Sequence, residues 1–213
     1  MTPTIWASIA RALYRLTLIG LRTGPRVTRY YAYRHLAQYW GPRLGQRALS
    51  ISHSERLAMT LGFDRRKITD ASYPEDDVLD LPFADGRFDA VVSDQVLEHV
   101  SAPPQQAIDE MFRVLKPGGI ALHTSCLINQ IHGTGDYGDY WRFTPDALRL
   151  LVGPHADVID AGGWGNLYVW PFILAGLRAE PIPDAPWHPA HWIATLNQRA
   201  WPITTWVLAE GYK

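Results

Sequence analysis

A chain of 213 residues with 47% hydrophobic residues is long enough for one domain with a buried core, and no tract is polar enough to imply wholesale disorder. Its single cysteine excludes an intramolecular disulfide and a zinc-finger pattern, so we expect a reducing, cytoplasmic location. The net charge of −1 conceals a segregation, because residues 1–50 hold eight arginines and no acid while the remainder has 12 basic residues against 21 acids, or −9.

The N-terminal arm, residues 1–45, is predicted to be helical and basic. Apolar residues recur at helical spacing across positions 5–21. Arg11 and Arg15 interrupt this stretch, so we expect neither a signal-peptide core nor a transmembrane segment. The arm could meet an anionic partner such as nucleic acid or lipid headgroups. The alternatives are a solvated helix face, packing on its own domain or a partner subunit, or a helix that lies on a membrane surface.

Short apolar strands then alternate with helices along the chain. A helix over residues 27–40 is predicted to end at Gly41, and further helices are predicted to begin at the N-caps Ser54 and Thr144. Helices are expected over 54–61, 104–115 and from 144, with a turn at 116–119; strands are expected over 47–52, 67–72, 77–79, 88–93, 120–124, 156–161 and 203–208. Strands separated by crossover helices indicate a parallel sheet, which binds its ligand at the carboxyl ends of the strands.

Two blocks of sequence carry a family resemblance. LDLPFADGRFDAVVSDQVLEHV, followed by EMFRVLKPGGIALHT, closely resembles the central signature of class I S-adenosylmethionine-dependent methyltransferases, and the likeness extends over about residues 45–152. It implies an α/β fold with a Rossmann-like, doubly wound, mostly parallel seven-stranded sheet and an N-terminal helical extension. The whole chain would be one methyltransferase domain that binds S-adenosylmethionine: an arm (1–45), a cofactor-binding core (46–160) and a Trp/Pro-rich part that completes the sheet (161–213).

The resemblance assigns cofactor-binding roles to residues at the strand ends. Asp70 would accept hydrogen bonds from the ribose hydroxyls, and Asp77 from the adenine amino group, with Val78 offering its backbone N–H. Asp94 and Gln95, at the end of the apolar strand 88–93, would face the methionine part of the cofactor. The alternative is that Asp70 and Asp77 are solvated loop residues with no role in cofactor binding.

One departure from the family pattern concerns the glycine loop. The family has a GxGxG-like loop after its first strand, whereas this sequence has Ser52, His53 and Ser54. Serine hydroxyls and helix N-terminal N–H groups could still hold the methionine carboxylate. Loss of the glycines could equally mark a cofactor site that has decayed.

The segment NQIHGTGDYGDYWRFTP, residues 129–145, is the candidate acceptor side because it follows a strand end. Methyl transfer to a hydroxyl needs a base beside the sulfonium, and His132 is the first candidate, with Asp136 and Asp139 beside it. Substrate-binding residues are expected among the side chains His99, Tyr137, Tyr140, Trp141 and Arg142. His99 could instead be structural, and the segment could be a mobile surface loop whose aspartates form turns.

Two further hypotheses concern a metal and the substrate. Asp136 and Asp139, close to a histidine, could hold a divalent ion such as Mg²⁺ that chelates adjacent substrate hydroxyls. We expect O-methylation of a small carbohydrate or another polyhydroxylated metabolite. The alternatives are an aromatic or lipid-like acceptor, or a non-catalytic binding subunit. Surplus apolar surface predicts a homodimer, and nothing resembles an appended nucleic-acid-binding domain.

Overall fold

The computed structural model describes residues 5–43, 45–133, 135 and 137–213, and it divides into two compact units. We call Met1–His35 with Trp164–Thr204 the arm unit, and Leu36–Gly163 with Thr205–Lys213 the sheet unit. Each unit has its own secondary structure.

The sheet unit is built on a mixed α/β arrangement. Its strands are β2 (Ala48–Ile51), β3 (Ile68–Ala71), β4 (Phe88–Asp94), β5 (Leu115–Cys126), β6 (Ala156–Trp164) and β8 (Thr204–Gly211). They form a sheet in the order β3-β2-β4-β5-β8-β6. Pairing is parallel between β2 and β3, between β2 and β4, and between β4 and β5. This order places the ends of β3, β2, β4 and β5 side by side at one edge.

Where the structure describes it, the sheet unit has three α-helices: α3 (Glu55–Thr60), α4 (Pro104–Val114) and α5 (Pro145–Val152). Single 3-10 turns occur at Ala37–Tyr39, Arg65–Lys67 and Leu97–His99. In α4 the buried residues Ala107, Ile108, Met111 and Val114 recur at the spacing of one helix face. The predicted cap at Thr144 is confirmed, since its side chain accepts a hydrogen bond from the Ala147 N–H.

The described residues form a six-stranded sheet where seven strands were predicted. The segment 77–79 is a turn, because the Asp77 carboxylate accepts the Leu79 N–H at 2.9 Å and the Asp77 carbonyl accepts the Asp80 N–H. The predicted turn at 116–119 lies inside β5 as a bulge.

The arm unit contains α1 (Ile5–Thr17), β1 (Thr23–Arg26), most of α2 (Val27–Leu36), α6 (Val169–Phe172), a π-helical segment (Ile173–Leu177), β7 (Pro181–Pro183) and α7 (Pro189–Thr195). β1 and β7 pair antiparallel. The two N-terminal helices were predicted, and the short β1–β7 pair was not. No helix within the described ranges combines the length and the apolar character needed to cross a bilayer.

Candidate functional site

At the position of the family's glycine loop, this chain has a left-handed backbone although the residues there are not glycines. Ser52 and His53, directly after β2, have φ angles of 50° and 62°. Residues other than glycine rarely adopt this left-handed backbone conformation, because it costs them about 1 kcal/mol or more each. The chain therefore turns at the end of β2 in the conformation that a glycine would favour, and two side chains remain on the turn.

Asp70, the predicted ribose-binding acid, is held by its own neighbours. Its Oδ1 accepts hydrogen bonds from the Ser50 hydroxyl and from the His53 backbone N–H at 3.0 Å. Its Oδ2 accepts from the Ser72 hydroxyl and lies 3.1 Å from His53 Nδ1. The carboxylate that would meet a ribose is thus surrounded by four donors from the chain itself.

Ser54 ties two strand ends together. Its hydroxyl donates to the Ile51 carbonyl and accepts the Asp94 N–H at 2.8 Å. Ser54 is the N-cap residue of α3, as predicted, but its side chain makes no capping hydrogen bond to the helix. Asp94 in turn accepts from the Thr124 hydroxyl at 2.6 Å, which links β4 to β5.

Gln95 presents an unsatisfied donor at the end of β4. It also has a left-handed backbone, with φ of 62°, and its amide Nε2 is buried without a hydrogen-bond partner among the described residues. A buried amide nitrogen without an acceptor is costly, by about 1 to 3 kcal/mol. This orphaned donor is an observation of the structure that fits a polar ligand at the strand ends.

Asp77 and Val78 lie in the turn that follows β3. Asp77 is exposed and uses one carboxylate oxygen within the turn, whereas Val78 is half-buried and packs against the core. The described geometry does not bring the Asp77 carboxylate into contact with the residues at the other strand ends.

On the acceptor side, Asp139 lies between a histidine and an arginine. Arg142 donates through both of its terminal nitrogens to the two Asp139 oxygens, and Asp139 Oδ2 accepts the His132 N–H at 2.8 Å. The hydrogen bond from Arg142 and the neighbouring charges hold the pKa of Asp139 well below its usual range. The Asp139 side chain is 1% exposed, so this ion pair is shielded from water.

The His132 ring is oriented by two acceptors at Nδ1. The Gln130 carbonyl lies 3.0 Å from Nδ1 and Asp139 Oδ2 lies 3.2 Å away. Two acceptors at one nitrogen favour the tautomer with its proton there, which places the lone pair on Nε2. His132 therefore has the arrangement of a general base supported by a carboxylate.

The His99 ring packs against this histidine. The His99 ring meets the His132 ring edge to face, with centroids 4.9 Å apart, and meets the Tyr137 ring at 4.6 Å. His99 Nδ1 lies 2.6 Å from the Gly138 carbonyl. The turn at Leu97–His99 thus fixes the position of the acceptor segment.

The remaining predicted substrate residues are fixed by backbone contacts. Tyr140 and Trp141 donate their backbone N–H groups to the Glu98 carbonyl, and the Trp141 indole donates to the Val100 carbonyl at 2.8 Å. Both rings remain exposed. Arg142 is engaged in the ion pair with Asp139, while Asp136 lies outside the described residues.

Glu98 and Cys126 are buried beside the acceptor segment. The family block LEHV suggested that Glu98 structures the cofactor pocket or assists the base, whereas nothing in the sequence suggested a site role for Cys126. Glu98 accepts from the Ser125 hydroxyl at 2.7 Å through Oε2, whereas Oε1 has no partner in the described part of the chain. Burial raises the pKa of Glu98, and burial next to this acid raises the pKa of the Cys126 thiol to about 12. Burial therefore disfavours the charged form of both groups.

Among the described residues, three groups of side chains have ligand atoms close enough to hold a metal ion: Glu98, Cys126 and His132; His99, His132 and Asp139; and His53, Glu55 and Asp70. Asp139, named in the magnesium hypothesis, already faces the Arg142 guanidinium. A magnesium ion on Asp139 would have to compete with that cation.

Comparisons with known proteins bear on the family and the fold. The family described as a methyltransferase domain matches residues 25–123. No curated protein matches the sequence significantly. Among solved structures, a chain in the complex between the Haloferax volcanii Trm112 methyltransferase activator and a methyltransferase is 16% identical, with a TM-score of 0.57 and 98% of both chains covered.

Two other solved structures share the fold. A SAM-dependent methyltransferase of Thermotoga maritima is 15% identical, with a TM-score of 0.51 and coverage of 97% of this chain and 99% of that one. The [4+2]-cyclase SpnF is 17% identical, with a TM-score of 0.52 and coverage of 86% and 81%. Residues 25–123 match the methyltransferase-domain family and the chain shares the fold of these structures, in agreement with its resemblance to class I S-adenosylmethionine-dependent methyltransferases.

Proposed function

We propose that the protein transfers a methyl group from S-adenosylmethionine to a hydroxyl of a small carbohydrate or another polyhydroxylated metabolite. The observation that carries this proposal is the His132 ring, held at Nδ1 by Asp139 and the Gln130 carbonyl. The fold alone does not choose the reaction, since SpnF is a cyclase. The side chains of the acceptor segment are therefore what favours O-methylation.

A hydroxyl is a poor nucleophile until its proton is removed, and His132 Nε2 is the group suited to receive that proton. When the hydroxyl of a bound acceptor is methylated, His132 Nε2 would take up its proton, and the methyl donor would leave as S-adenosylhomocysteine. The imidazolium formed in this way is stabilised by the buried Asp139 carboxylate. Arg142 keeps Asp139 ionised throughout, because its guanidinium favours the charged carboxylate.

The residues at the strand ends fit the cofactor at two points. The left-handed turn at Ser52 and His53 reproduces a glycine-loop backbone, and Gln95 offers a buried amide donor without a partner among the described residues. When bound, S-adenosylmethionine supplies the methyl group as a sulfonium electrophile. Asp70 would reach the ribose hydroxyls once the His53 ring leaves its Oδ2.

A polyhydroxylated acceptor suits the polar and aromatic character of the acceptor segment. Tyr137, Tyr140 and Trp141 are exposed rings on a backbone that is fixed at Glu98. Flat faces of this kind pack against the C–H face of a sugar ring. The magnesium ion is not part of the proposal, because Arg142 already neutralises Asp139.

The experiment is acceptor profiling with labelled S-adenosylmethionine, preceded by calorimetric titration with S-adenosylmethionine and S-adenosylhomocysteine. His132→Gln should lower kcat by about 100-fold or more while cofactor affinity stays unchanged. The matched control is His155→Gln, since His155 also pairs with an aspartate, Asp109, at 2.7 Å but lies outside the acceptor segment. Equal loss in both variants would overturn the role of His132, and turnover confined to aromatic or lipid-like acceptors would overturn the substrate class.

One observation favours a second candidate, a non-catalytic binding subunit. Asp70 has four donors from its own chain, so the ribose position is already satisfied internally. If neither S-adenosylmethionine nor S-adenosylhomocysteine binds to the folded protein with candidate acceptors present, this second function replaces the first.

A further inference from the structure

Helix α1 carries an apolar face that its own unit does not cover. Five of its side chains are apolar and exposed, among them Trp6 at 80%: Ile5, Trp6, Ile9, Leu13 and Leu16. With about 100° between successive helix residues, these five fall within an arc of about 100°. We call this face the α1 stripe.

A different face of α1 attaches the helix to the arm unit. Tyr14 is buried, donates to the Pro181 carbonyl at 2.8 Å and packs edge-on against Phe172. At Gly176, a Cβ would lie 2.8 Å from the Cβ of Ala7, so the helix approaches the π-helical segment closely there. Tyr14 and Ala7 lie more than about 100° from the centre of the α1 stripe. The α1 stripe is thus not the face by which the helix packs on its own unit.

The rest of the arm unit adds large exposed apolar side chains, four of them aromatic. They are Ile19, Leu167, Tyr168, Leu174, Trp187, Trp192 and Trp201. Scattered exposed apolar residues are ordinary, but tryptophans and leucines at this density on one small unit indicate an interaction surface. Tryptophan in particular suits the boundary between water and lipid.

The same unit is strongly cationic. Its sequence contains eight arginines and two acids, a net charge of +6, and the rest of the chain therefore carries −7. Both acids of the unit are ion-paired, Glu180 with Arg15 at 2.8 Å and Asp184 with Arg34 at 3.3 Å. An anionic surface is the partner that this charge complements.

We propose that the arm unit binds the surface of an anionic lipid bilayer, with α1 lying in the plane of the interface and the α1 stripe inserted among the acyl chains. An interfacial helix needs an apolar face with tryptophan or leucine together with cationic residues that meet lipid phosphates. Arginine side chains are long enough to reach the headgroups while their aliphatic parts cover apolar surface. The α1 stripe and the charge of +6 supply both requirements.

The net charge of +6 on the arm unit favours an anionic bilayer over a second copy of the chain or nucleic acid as the partner of the α1 stripe. A second copy would bring two units of charge +6 together, and their repulsion opposes the contact. Nucleic acid would use the arginines and leave the α1 stripe in water. A bilayer that contains anionic lipid satisfies the apolar residues and the arginines at the same time.

The test is flotation of the full chain with vesicles of phosphatidylcholine alone or with about one third phosphatidylglycerol. Binding should occur on the anionic vesicles, fall steeply at 0.5 M salt and drop about tenfold or more for the double variant Leu13→Gln, Leu16→Gln. The matched control is Leu150→Gln, Ile159→Gln, which changes two exposed apolar residues of the sheet unit. Thermal unfolding followed by circular dichroism should be the same for both variants, since all four side chains are exposed.

Three results would overturn the proposal. The first is equal binding by the stripe variant and the native chain. The second is no vesicle binding together with a dimer, seen by analytical ultracentrifugation, that the stripe variant dissociates. The third is binding to duplex DNA but not to vesicles, insensitive to the substitutions in α1. Each of them is independent of methyl transfer by the sheet unit.

Discussion

His53 contacts both carboxylate oxygens of Asp70. The backbone N–H donates to Oδ1 at 3.0 Å, and the ring Nδ1 lies 3.1 Å from Oδ2. In a chain without the glycines of the family that it resembles, the residue at the glycine-loop position therefore contacts the acid that was predicted to bind the cofactor ribose. The altered loop therefore contacts the carboxylate that the predicted cofactor site would use.

Removing the His53 ring should strengthen cofactor binding. His53→Ala and His53→Gly both release Asp70 Oδ2, and we expect S-adenosylhomocysteine to bind about fivefold more tightly to either variant, because a hydrogen bond to a charged group becomes available. Only His53→Gly also relieves the φ of 62°, so it should be more stable than His53→Ala by about 1 kcal/mol. Calorimetry and urea unfolding measure the two effects separately. Unchanged affinity in both variants would remove Asp70 from the ribose site.

Asp139→Asn should destabilise the protein by about 2 kcal/mol at pH 7, since it breaks a shielded ion pair. Arg142 lowers the pKa of Asp139 below its unfolded value of about 3.9. The stabilisation is therefore present above about pH 4 and is lost as the pH falls further. Urea unfolding at pH 7, 5 and 3 should show the difference between variant and native protein shrinking only at the lowest pH.

The control for that series is Asp146→Asn. Asp146 also faces an arginine three residues on, Arg149, but the distance is 3.8 Å and the Asp146 side chain is 92% exposed. We expect no measurable change in stability, because solvent screens exposed pairs. A loss as large as that of Asp139→Asn would show that burial is not what gives the Asp139 pair its strength.

His123 should make the protein acid-sensitive in a defined range. It is fully buried in β5, its Nδ1 lies 2.9 Å from the Ser93 hydroxyl, and burial lowers its pKa to about 4. Because the unfolded chain takes up this proton near pH 6.5 and the folded chain does not, stability should fall by up to about 1.4 kcal/mol per pH unit between about pH 6.5 and 4. His123→Gln should flatten the slope of unfolding free energy over that range, and equal slopes would contradict the assignment.

Glu98→Gln should stabilise the protein at pH 8. Burial raises the pKa of Glu98, so the folded state favours the neutral acid, and its contribution to stability is lost as the pH rises above the unfolded value of about 4.3. A neutral amide avoids the buried charge and can still accept from Ser125. The advantage measured by urea unfolding should vanish toward pH 4. A variant less stable than the native protein at pH 8 would mean that the carboxylate itself is required.

The main strands of the sheet were predictable because continuous apolar runs need burial on both faces. Ala48–Ile51 is buried at every position, and Phe88–Asp94 at most of them. The strand at 77–79 was predicted wrongly, since its apolar residues suggested burial while Asp77 closes a turn with its own side chain. The β1–β7 pair has no alternation of apolar and polar residues and contains prolines, so its local sequence does not predict strands.

Part of the site could have been found from the sequence and part could not. In the parallel register Ser50 lies opposite Asp70, so aligning the two predicted strands would have suggested that contact. The orientation of the Arg142 guanidinium toward Asp139 depends on an irregular segment with no periodicity to guide prediction. The burial of Glu98 likewise follows from tertiary packing and not from its own block of sequence.

Cys126 has a practical consequence for studying this chain. It is the sole thiol of the sequence, it is buried, and a pKa of about 12 leaves a thiolate fraction of only about one in 10⁵ at neutral pH. Maleimide reagents should therefore spare it without any prior mutagenesis. Leu13→Cys would introduce one accessible thiol for a fluorophore, whose emission would change as its surroundings pass from water to hydrocarbon. A single introduced cysteine could therefore be labelled without first replacing Cys126.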